Sequence, residues 1–499
     1  MSQRKKGAIL GYFYLLLRNG SSFIMTPIML AIWDKNQYGI FQLGATIAAY
    51  LALMDLGVQN SIIKFISQYR AEKNKSKENR FVGTIIAFYC VLSILIFLVG
   101  VAIYQNLPFF FNESMNIDEI TELSRIFIVL MFGAIFNLFF NVFTGLLTAY
   151  EKFSTIRYRD ITRTVFRFVI IIVMLRMEMS PFYIVVADLI INIIFNLSLV
   201  WIAFFKIKSR PTLKRFNFAY FKSILNYSFF VYLNVIAIQL FWMVDNIIIG
   251  LMMSAAAVGV YSLGTLVSSY FQSFSSVIAN VLMPGVVAQV TKGASNEQLL
   301  NEAVKIGRIK LFFFIWLTIG FIFLGHKFIV LWAGKDYELA YYIAVIVIIP
   351  QVLSYTHDVM ANVMWAREKH QKFSVYMIFV ALLNVLITIV AVKYMGLLGA
   401  AYSTAFAFVV GFLIFASIYY HKIIEIDMKI FYLGLFKGML PVAIFTSIIA
   451  FLISFWSNLN WITLITQGLL LSIFYVIIVY FFGMNNYEQQ FFKKLINRK

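Results

Sequence analysis

Arg18 stands about ten residues into an apolar run that opens near residue 8, too deep for its side chain to snorkel easily to water. An ionisable group at bilayer depth costs several kcal/mol unless it faces a wet cavity or a partner. At about 100° per residue, Gly11, Tyr14, Ser22 and Met25 fall within roughly 40° of Arg18, a small and polar stripe on an otherwise apolar helix. A guanidinium on such a stripe can grip an oxyanion bidentately. The plainer alternative is a structural ion pair with an aspartate such as Asp55.

Other residues carry related chemistry. Arg159, Arg163 and Arg167 recur at helical spacing, so their side chains form one basic ladder suited to an anionic headgroup. Anchoring at the membrane face accounts equally well for Arg159 and Arg163. Lys64 and Arg125 lie near segment ends, where long side chains snorkel outward. Ser223, Tyr227, Asn234 and Asp245 make a second polar stripe by the same helical geometry. Asp245 has the chemistry to hold a proton or a sodium ion, or to close a gate against a basic group. Asp55, Asp188 and Asp358 are similar acids, and Asp55 alternatively caps a break at Leu56-Gly57.

The elements that position these side chains are long apolar segments. A spanning helix needs roughly 20 apolar residues, and the sequence predicts fourteen of them, near 8–32, 39–66, 81–104, 123–149, 164–178, 182–205, 223–251, 258–283, 309–333, 339–365, 373–392, 397–420, 433–455 and 461–483. Of 41 Lys and Arg residues, 32 fall at the termini, the even-numbered connections and the segment ends beside them, from Arg4, Lys5 and Lys6 to Lys493, Lys494, Arg498 and Lys499. The odd connections and the segment ends beside them hold 5: Lys35, Arg176, Lys327, Lys335 and Lys393. That asymmetry predicts a multi-pass protein with both termini cytoplasmic. A hydrophobic content of 62% and a mean hydropathy of +0.86 exceed what a water-soluble surface tolerates. The net charge of +19 lies in brief loops beside apolar helices, which points to anionic lipid headgroups and not to nucleic acid.

Several functions are excluded. The longest external connection, 105–122, is too short for a domain, and no Gly-rich phosphate loop ending in Lys-Ser or Lys-Thr occurs, so direct ATP use is not expected. His326, His357, His370 and His421 are scattered without an HExxH pairing. The one cysteine, Cys90, lies inside the third segment and reads as a small core residue. No catalytic residue, metal site or cofactor is expected.

One offset stands out. Tyr38-Gly39-Ile40-Phe41-Gln42-Leu43-Gly44 recurs as Val258-Gly259-Val260-Tyr261-Ser262-Leu263-Gly264, 220 residues and six helices later. Glu151-Lys152 and Glu368-Lys369 echo each other at 217. An even number of crossings makes this a parallel repeat, predicting an N-terminal lobe at 1–215, a C-terminal lobe at 216–425, and an appended pair of helices with a cytoplasmic tail at 426–499.

With these residues in hand, the chain resembles the polysaccharide transporters, O-antigen flippase type, of the multidrug, oligosaccharidyl-lipid and polysaccharide exporter superfamily. Pro27, Leu30, the Tyr38–Leu43 stretch, Asp55-Leu56-Gly57, the run from Asp245 through Ala255–Ser262, and Gly396–Ala401 carry the resemblance. It implies an all-α membrane fold of two six-helix lobes around a central cavity. It further implies movement of a polyprenyl-diphosphate-linked oligosaccharide from the cytoplasmic to the outer leaflet of a bacterial plasma membrane. On that footing Arg18, Arg163, Arg167 and Lys64 would bind the diphosphate, Tyr14, Ser22, Tyr227 and Asn234 would line the cavity, and Asp245, Asp55 and Asp358 would couple an ion or gate. The implied partners are the lipid-linked glycan, membrane lipids, and a glycan polymerase and glycosyltransferases of the same pathway. A peptidoglycan-precursor flippase and a cation-coupled drug exporter are the alternatives.

Overall fold

The computed structural model describes residues 3–55, 58–212, 218–456, 458–485 and 488–490. In chain order its helices are α1 (Gln3–Ile32), α2 (Lys35–Ala52), α3 (Val58–Ala71), α4 (Lys75–Phe111), α5 (Ile117–Ala149), α6 (Phe153–Arg176), α7 (Pro181–Trp201), α8 (Phe218–Met252), α9 (Ala255–Thr291), α10 (Asn296–Ala333), α11 (Leu339–Ser354), α12 (Asp358–Ala366), α13 (His370–Ala407), α14 (Ala416–Tyr419), α15 (Met428–Phe436), α16 (Met439–Ser454) and α17 (Trp461–Ile478). No strand occurs among the described residues. In lipid, where backbone groups find no water, an all-helical chain satisfies them within each segment.

Several limbs are bent. α2 and α3 form one limb interrupted by the tight turn Leu53–Asp55, α11 and α12 another interrupted at Tyr355–His357, and α15 and α16 meet at a 42° bend. α13 breaks in two at Gly396, whose φ of 60° and ψ of −142° suit a residue without a Cβ. Counted with these breaks, the described residues run as fourteen limbs, as the hydropathy predicts. Nine helices, or ten with the bent pair, are each long and apolar enough to cross a membrane among the described residues.

Several limbs outrun their predicted spans, and for three of them the cause of the early start is visible. α5 starts at Ile117 because Asn116 and Glu119 exchange capping bonds of 2.9 and 3.0 Å, so helix takes up much of the predicted external connection. Ser295 and Gln298 do the same at 3.2 and 3.0 Å, starting α10 well before the apolar run. α6 starts at Phe153, eleven residues before its predicted start at 164, because its first half is polar and finds partners inside the protein.

The chain packs as two compact units. Unit 1 comprises Met1–Ser262 and Ser374–Lys393; unit 2 comprises Leu263–Phe373 and Tyr394–Lys499. In unit 1 Leu43, Ile62, Ile66, Phe81, Leu123, Phe127 and Leu146 have no exposure, and the four-residue steps Ile62/Ile66 and Leu123/Phe127 set each of those pairs on one face of its helix. Where α2 meets the start of α9, a Cβ built on Gly39 would lie 1.7 Å from the Ala255 carbonyl oxygen, and one on Gly259 would lie 2.9 Å from that of Lys35. The two copies of the repeated motif thus touch backbone to backbone, the close approach that small residues allow in lipid.

Unit 2 is tied by Arg308, which is 3% exposed on α10. Its Nε and Nη2 donate to the Glu488 carboxylate at 2.7 and 3.0 Å. Nη1 donates to the carbonyls of Lys437 and Gly434 at 2.7 and 3.2 Å, and Nη2 to that of Gly483 at 2.7 Å. All of these carbonyls lie at or beside helix breaks, where backbone acceptors are left over.

The duplication is visible in the backbone itself. Left-handed residues close limbs at Lys73 and Gly293, Glu151 and Glu368, Glu178 and Gly396, and Lys208 and Glu425, each pair separated by 217 to 220 positions. The last pair follows matching π-helical turns, Ile202–Lys206 and Tyr420–Ile424.

Candidate functional site

α6 and α7 form an antiparallel pair in unit 1, joined by a short turn that Glu178 closes with a φ of 54° and Pro181 ends at the first position of α7. Antiparallel pairing makes a four-residue step up one helix meet a four-residue step down the other. Arg159 Nη1 donates to Asn196 Oδ1 at 2.9 Å, Arg163 Nη1 to Asn192 Oδ1 at 2.7 Å, and Arg167 Nε to Asp188 Oδ1 at 2.6 Å. The rungs are spaced by about 6 Å, four residues of helix rise. The amides continue the network, Asn196 Nδ2 donating to Asn192 at 2.9 Å and Asn192 Nδ2 to Asn137 of α5 at 2.6 Å.

Positive charge exceeds negative here. Asp160 meets Arg157 at 3.4 Å and Arg159 at 3.3 Å, and Asp188 meets Arg167, so two carboxylates face four guanidiniums. Arg159 Nε and Arg163 Nε are buried without a hydrogen-bond partner. A buried donor left unpaired costs about 1–3 kcal/mol, and more when charged. Two cavities run along the ladder. One, of about 330 Å³, lies beside Arg163, Arg167, Asp188 and Asn192 with Ala48, Ala52 and Gly133 opposite. The other, of about 450 Å³, lies beside Arg157, Arg159, Arg163 and Asn196 with Gln59, Asn141, Thr144 and Thr148. Asn137, Arg163 and Asn192 line both. Such a space offers guanidinium forks to an oxyanion and amides and hydroxyls to a sugar.

The remaining sequence-marked residues lie as follows. Arg18 is exposed on α1, and among the described residues its guanidinium has no ion-pair partner. Its stripe faces α6: a Cβ on Gly11 would lie 3.6 Å from Arg157 Nε, and the Arg157 guanidinium stands 5.8 Å from the Tyr14 ring centre. Ser22 is half-buried, and Lys64 is exposed with its ammonium 5.8 Å from the Phe65 ring centre. Tyr227 and Asn234 belong to α8, and their side chains lie outside the described residues. Asp55 is engaged by Tyr89, whose hydroxyl donates to it at 2.5 Å, and not by Arg18. Asp245, 2% exposed, accepts from the Tyr261 hydroxyl at 2.5 Å and from Thr388 at 3.1 Å. Asp358, in unit 2, takes the Lys310 ammonium and the Ser275 hydroxyl.

The structure therefore brings Arg163 and Arg167 together and leaves Lys64 apart from them. Asn192, Asn196 and Asn137 were not singled out from sequence. Their signal was available, since Asp188, Asn192 and Asn196 step by four residues as the arginines do. Lys310 was also missed, because hydropathy leaves it at the rim of its segment, whereas α10 begins at Asn296.

A family model described as polysaccharide biosynthesis protein matches residues 5–291. The chain belongs to that family. The chain is 23% identical over 205 residues to the probable low-salt glycan biosynthesis flippase Agl15 of Haloferax volcanii. That match takes in 41% of this chain and 43% of the relative, less than half the length of either. Among solved structures, the lipid II flippase MurJ in an inward closed conformation superposes with a TM-score of 0.72 at 16% identity, over 98% of this chain and 99% of that one. An inward-facing multidrug resistance MATE transporter of the MOP superfamily superposes at 0.56 and 14% identity, over 80% of this chain and 96% of that one. At these identities the likeness establishes the fold, that of a multi-pass α-helical membrane protein.

Proposed function

We propose that this protein is a flippase that moves a polyprenyl-diphosphate-linked oligosaccharide from the cytoplasmic to the outer leaflet by alternating access, for export of cell-surface polysaccharide. The observation that carries the proposal is the Arg159–Arg163–Arg167 ladder, which borders two cavities with guanidinium nitrogens that are buried and unpaired. A diphosphate carried through an apolar slab needs counter-charge at every depth, and charges taken out of water are tolerated only when paired and hydrogen-bonded. Asn192, Asn196 and Asp188 hold the forks. A phosphate oxygen offers a stronger, charge-assisted bond than a neutral amide and so displaces Asn192 and Asn196.

In this proposal Arg163 and Arg167 receive the diphosphate, with Arg18 and Lys64 as further contacts. Tyr14, Ser22, Tyr227 and Asn234 line the path, and Asp245, Asp55 and Asp358 couple an ion or gate. The protein acts as a transporter and not an enzyme, in the plasma membrane with cytoplasmic termini. Lobes at 1–215 and 216–425 rock about a central passage, with 426–499 appended. Family membership and the relative named as a glycan flippase support the substrate class.

The test is a depletion strain. The glycan-linked polyprenyl diphosphate should accumulate on the cytoplasmic leaflet while peptidoglycan-precursor turnover stays normal. Unchanged glycan export would remove the proposal, and a block confined to the peptidoglycan precursor would reassign the cargo.

A further inference from the structure

The duplicated backbone puts three membrane-depth positions of unit 1 in register with three of unit 2. The limb containing Asp55 ends at Lys73 and its counterpart at Gly293, so Asp55 corresponds to Ser275. α4 is capped by Asn74 and α10 by Ser295, so Tyr89 corresponds to Lys310. The left-handed residues Glu151 and Glu368 close the next limbs, so Asn141 corresponds to Asp358. These residues were aligned by caps alone, yet in each unit they meet. In unit 1 Asp55 accepts from the Tyr89 hydroxyl, the Asn141 side chain and the Gln59 backbone N–H. In unit 2 the Lys310 ammonium, fully buried, donates to Ser275 Oγ at 2.9 Å, to the Tyr355 carbonyl at 3.2 Å and to the Asp358 carboxylate.

The two triads differ in one respect. Each has a single carboxylate, on the first limb in unit 1 and on the third in unit 2, but among the described residues only the triad of unit 2 contains a cation. The described groups that bond Asp55 are neutral. α4 presents Tyr89 and α5 presents Asn141; on α2, Tyr50 gives its hydroxyl to the Gln239 carbonyl at 3.4 Å. Lys64, on α3, lies nine residues on and exposed, and Asp245 of α8 is held by Tyr261 and Thr388. Gln59 and Asn141, which hold Asp55, also line the larger arginine cavity.

We propose that the two triads have complementary roles, in which Asp55 takes up and releases a proton, whereas Lys310 is a tethered cation that keeps the equivalent site of unit 2 permanently neutral and leaves Asp358 a gating role alone. The proton adds to a carboxylate oxygen of Asp55 from solvent and returns to solvent. A protonated carboxyl has fewer acceptor sites and gains an O–H donor, and in this proposal the Asn141 amide turns to offer its oxygen to that donor. Because Asn141 is part of the cavity wall beside Arg159 and Arg163, proton uptake changes the headgroup site. The proposal uses the flippase function only for what the proton drives; protonation itself needs no substrate.

The experiment is infrared difference spectroscopy of the purified full-length protein in detergent, following the protonated-carboxyl band as pH is stepped. Wild type should show a titrating band that disappears in Asp55→Asn, persists in Asp55→Glu, and persists in Asp358→Asn. Tyr89→Lys installs in unit 1 the cation that unit 2 already has, and should remove the band. Lys310→Met should add a second titrating band, lost again when Asp358→Asn is combined with it. A wild-type band that survives Asp55→Asn, or that is lost in Asp358→Asn, would overturn the proposal, as would a Tyr89→Lys protein that still titrates. Failure of glycan transfer in cells would count against the flippase function and leave these spectra as they are.

Discussion

Arg163 donates to Asn192 at 2.7 Å, and these two residues, with Asn137, border both cavities of the ladder. A ligand passing from one space to the other must pass this pair. Arg163→Ala should lower glycan-lipid transfer at least tenfold, which corresponds to about 1.4 kcal/mol of lost binding. Arg163→Lys should restore only part, because a point charge replaces a fork. Surface glycan measured at native protein level checks this, and full export by the alanine variant would refute it.

Arg18 shares its face of α1 with Tyr14 and Gly11, the two residues that meet Arg157. Arg18→Ala is expected to abolish transfer with unchanged protein level, and Arg18→Lys to rescue it in part. An experimental structure with the guanidinium packed against an aspartate away from the passage would contradict this role.

Arg308 should matter to stability and not to cargo. Removing one partner of a buried ion pair costs about 3–5 kcal/mol, since the other is stranded. Arg308→Ala should therefore lower the thermal midpoint of the detergent-solubilised protein by several degrees and expose the end of α15 and the segment after α17 to protease. Glu488→Gln should do less, because the carbonyls of Lys437, Gly434 and Gly483 still hold the guanidinium.

Gly39→Ala places a methyl where the Ala255 carbonyl already stands. The helices must separate or the backbone must bend, so the expected result is reduced membrane accumulation. Gly20→Ala, where nothing lies within 4 Å, serves as the control and should accumulate normally.

What could be read from the sequence follows from which forces act locally. The fourteen limbs were legible because hydropathy over about 20 residues reflects burial in lipid. The repeat at Gly39 and Gly259 was legible because close backbone contact tolerates few residues. The spacing of Arg159, Arg163 and Arg167 was legible, but their partners were not, since pairing with Asn196, Asn192 and Asp188 depends on how α6 lies against α7. The early starts of α6 and α10 were hidden for the converse reason. Their first halves are polar, and bonds within the fold keep them helical: the α7 amides that meet Arg159 and Arg163 for α6, and the Ser295 capping box with Arg367, which donates to Asn296, for α10.

Cys90 is not the core residue its place in an apolar segment suggests: it is exposed, immediately after Tyr89 on α4. It is the single thiol in the sequence, so a spin label or fluorophore attached there needs no cysteine-free background and leaves every other residue native. The probe would sit one residue from the Asp55 triad but on an exposed position of the helix. The chain thus carries a natural attachment point for watching this limb move during a transport cycle.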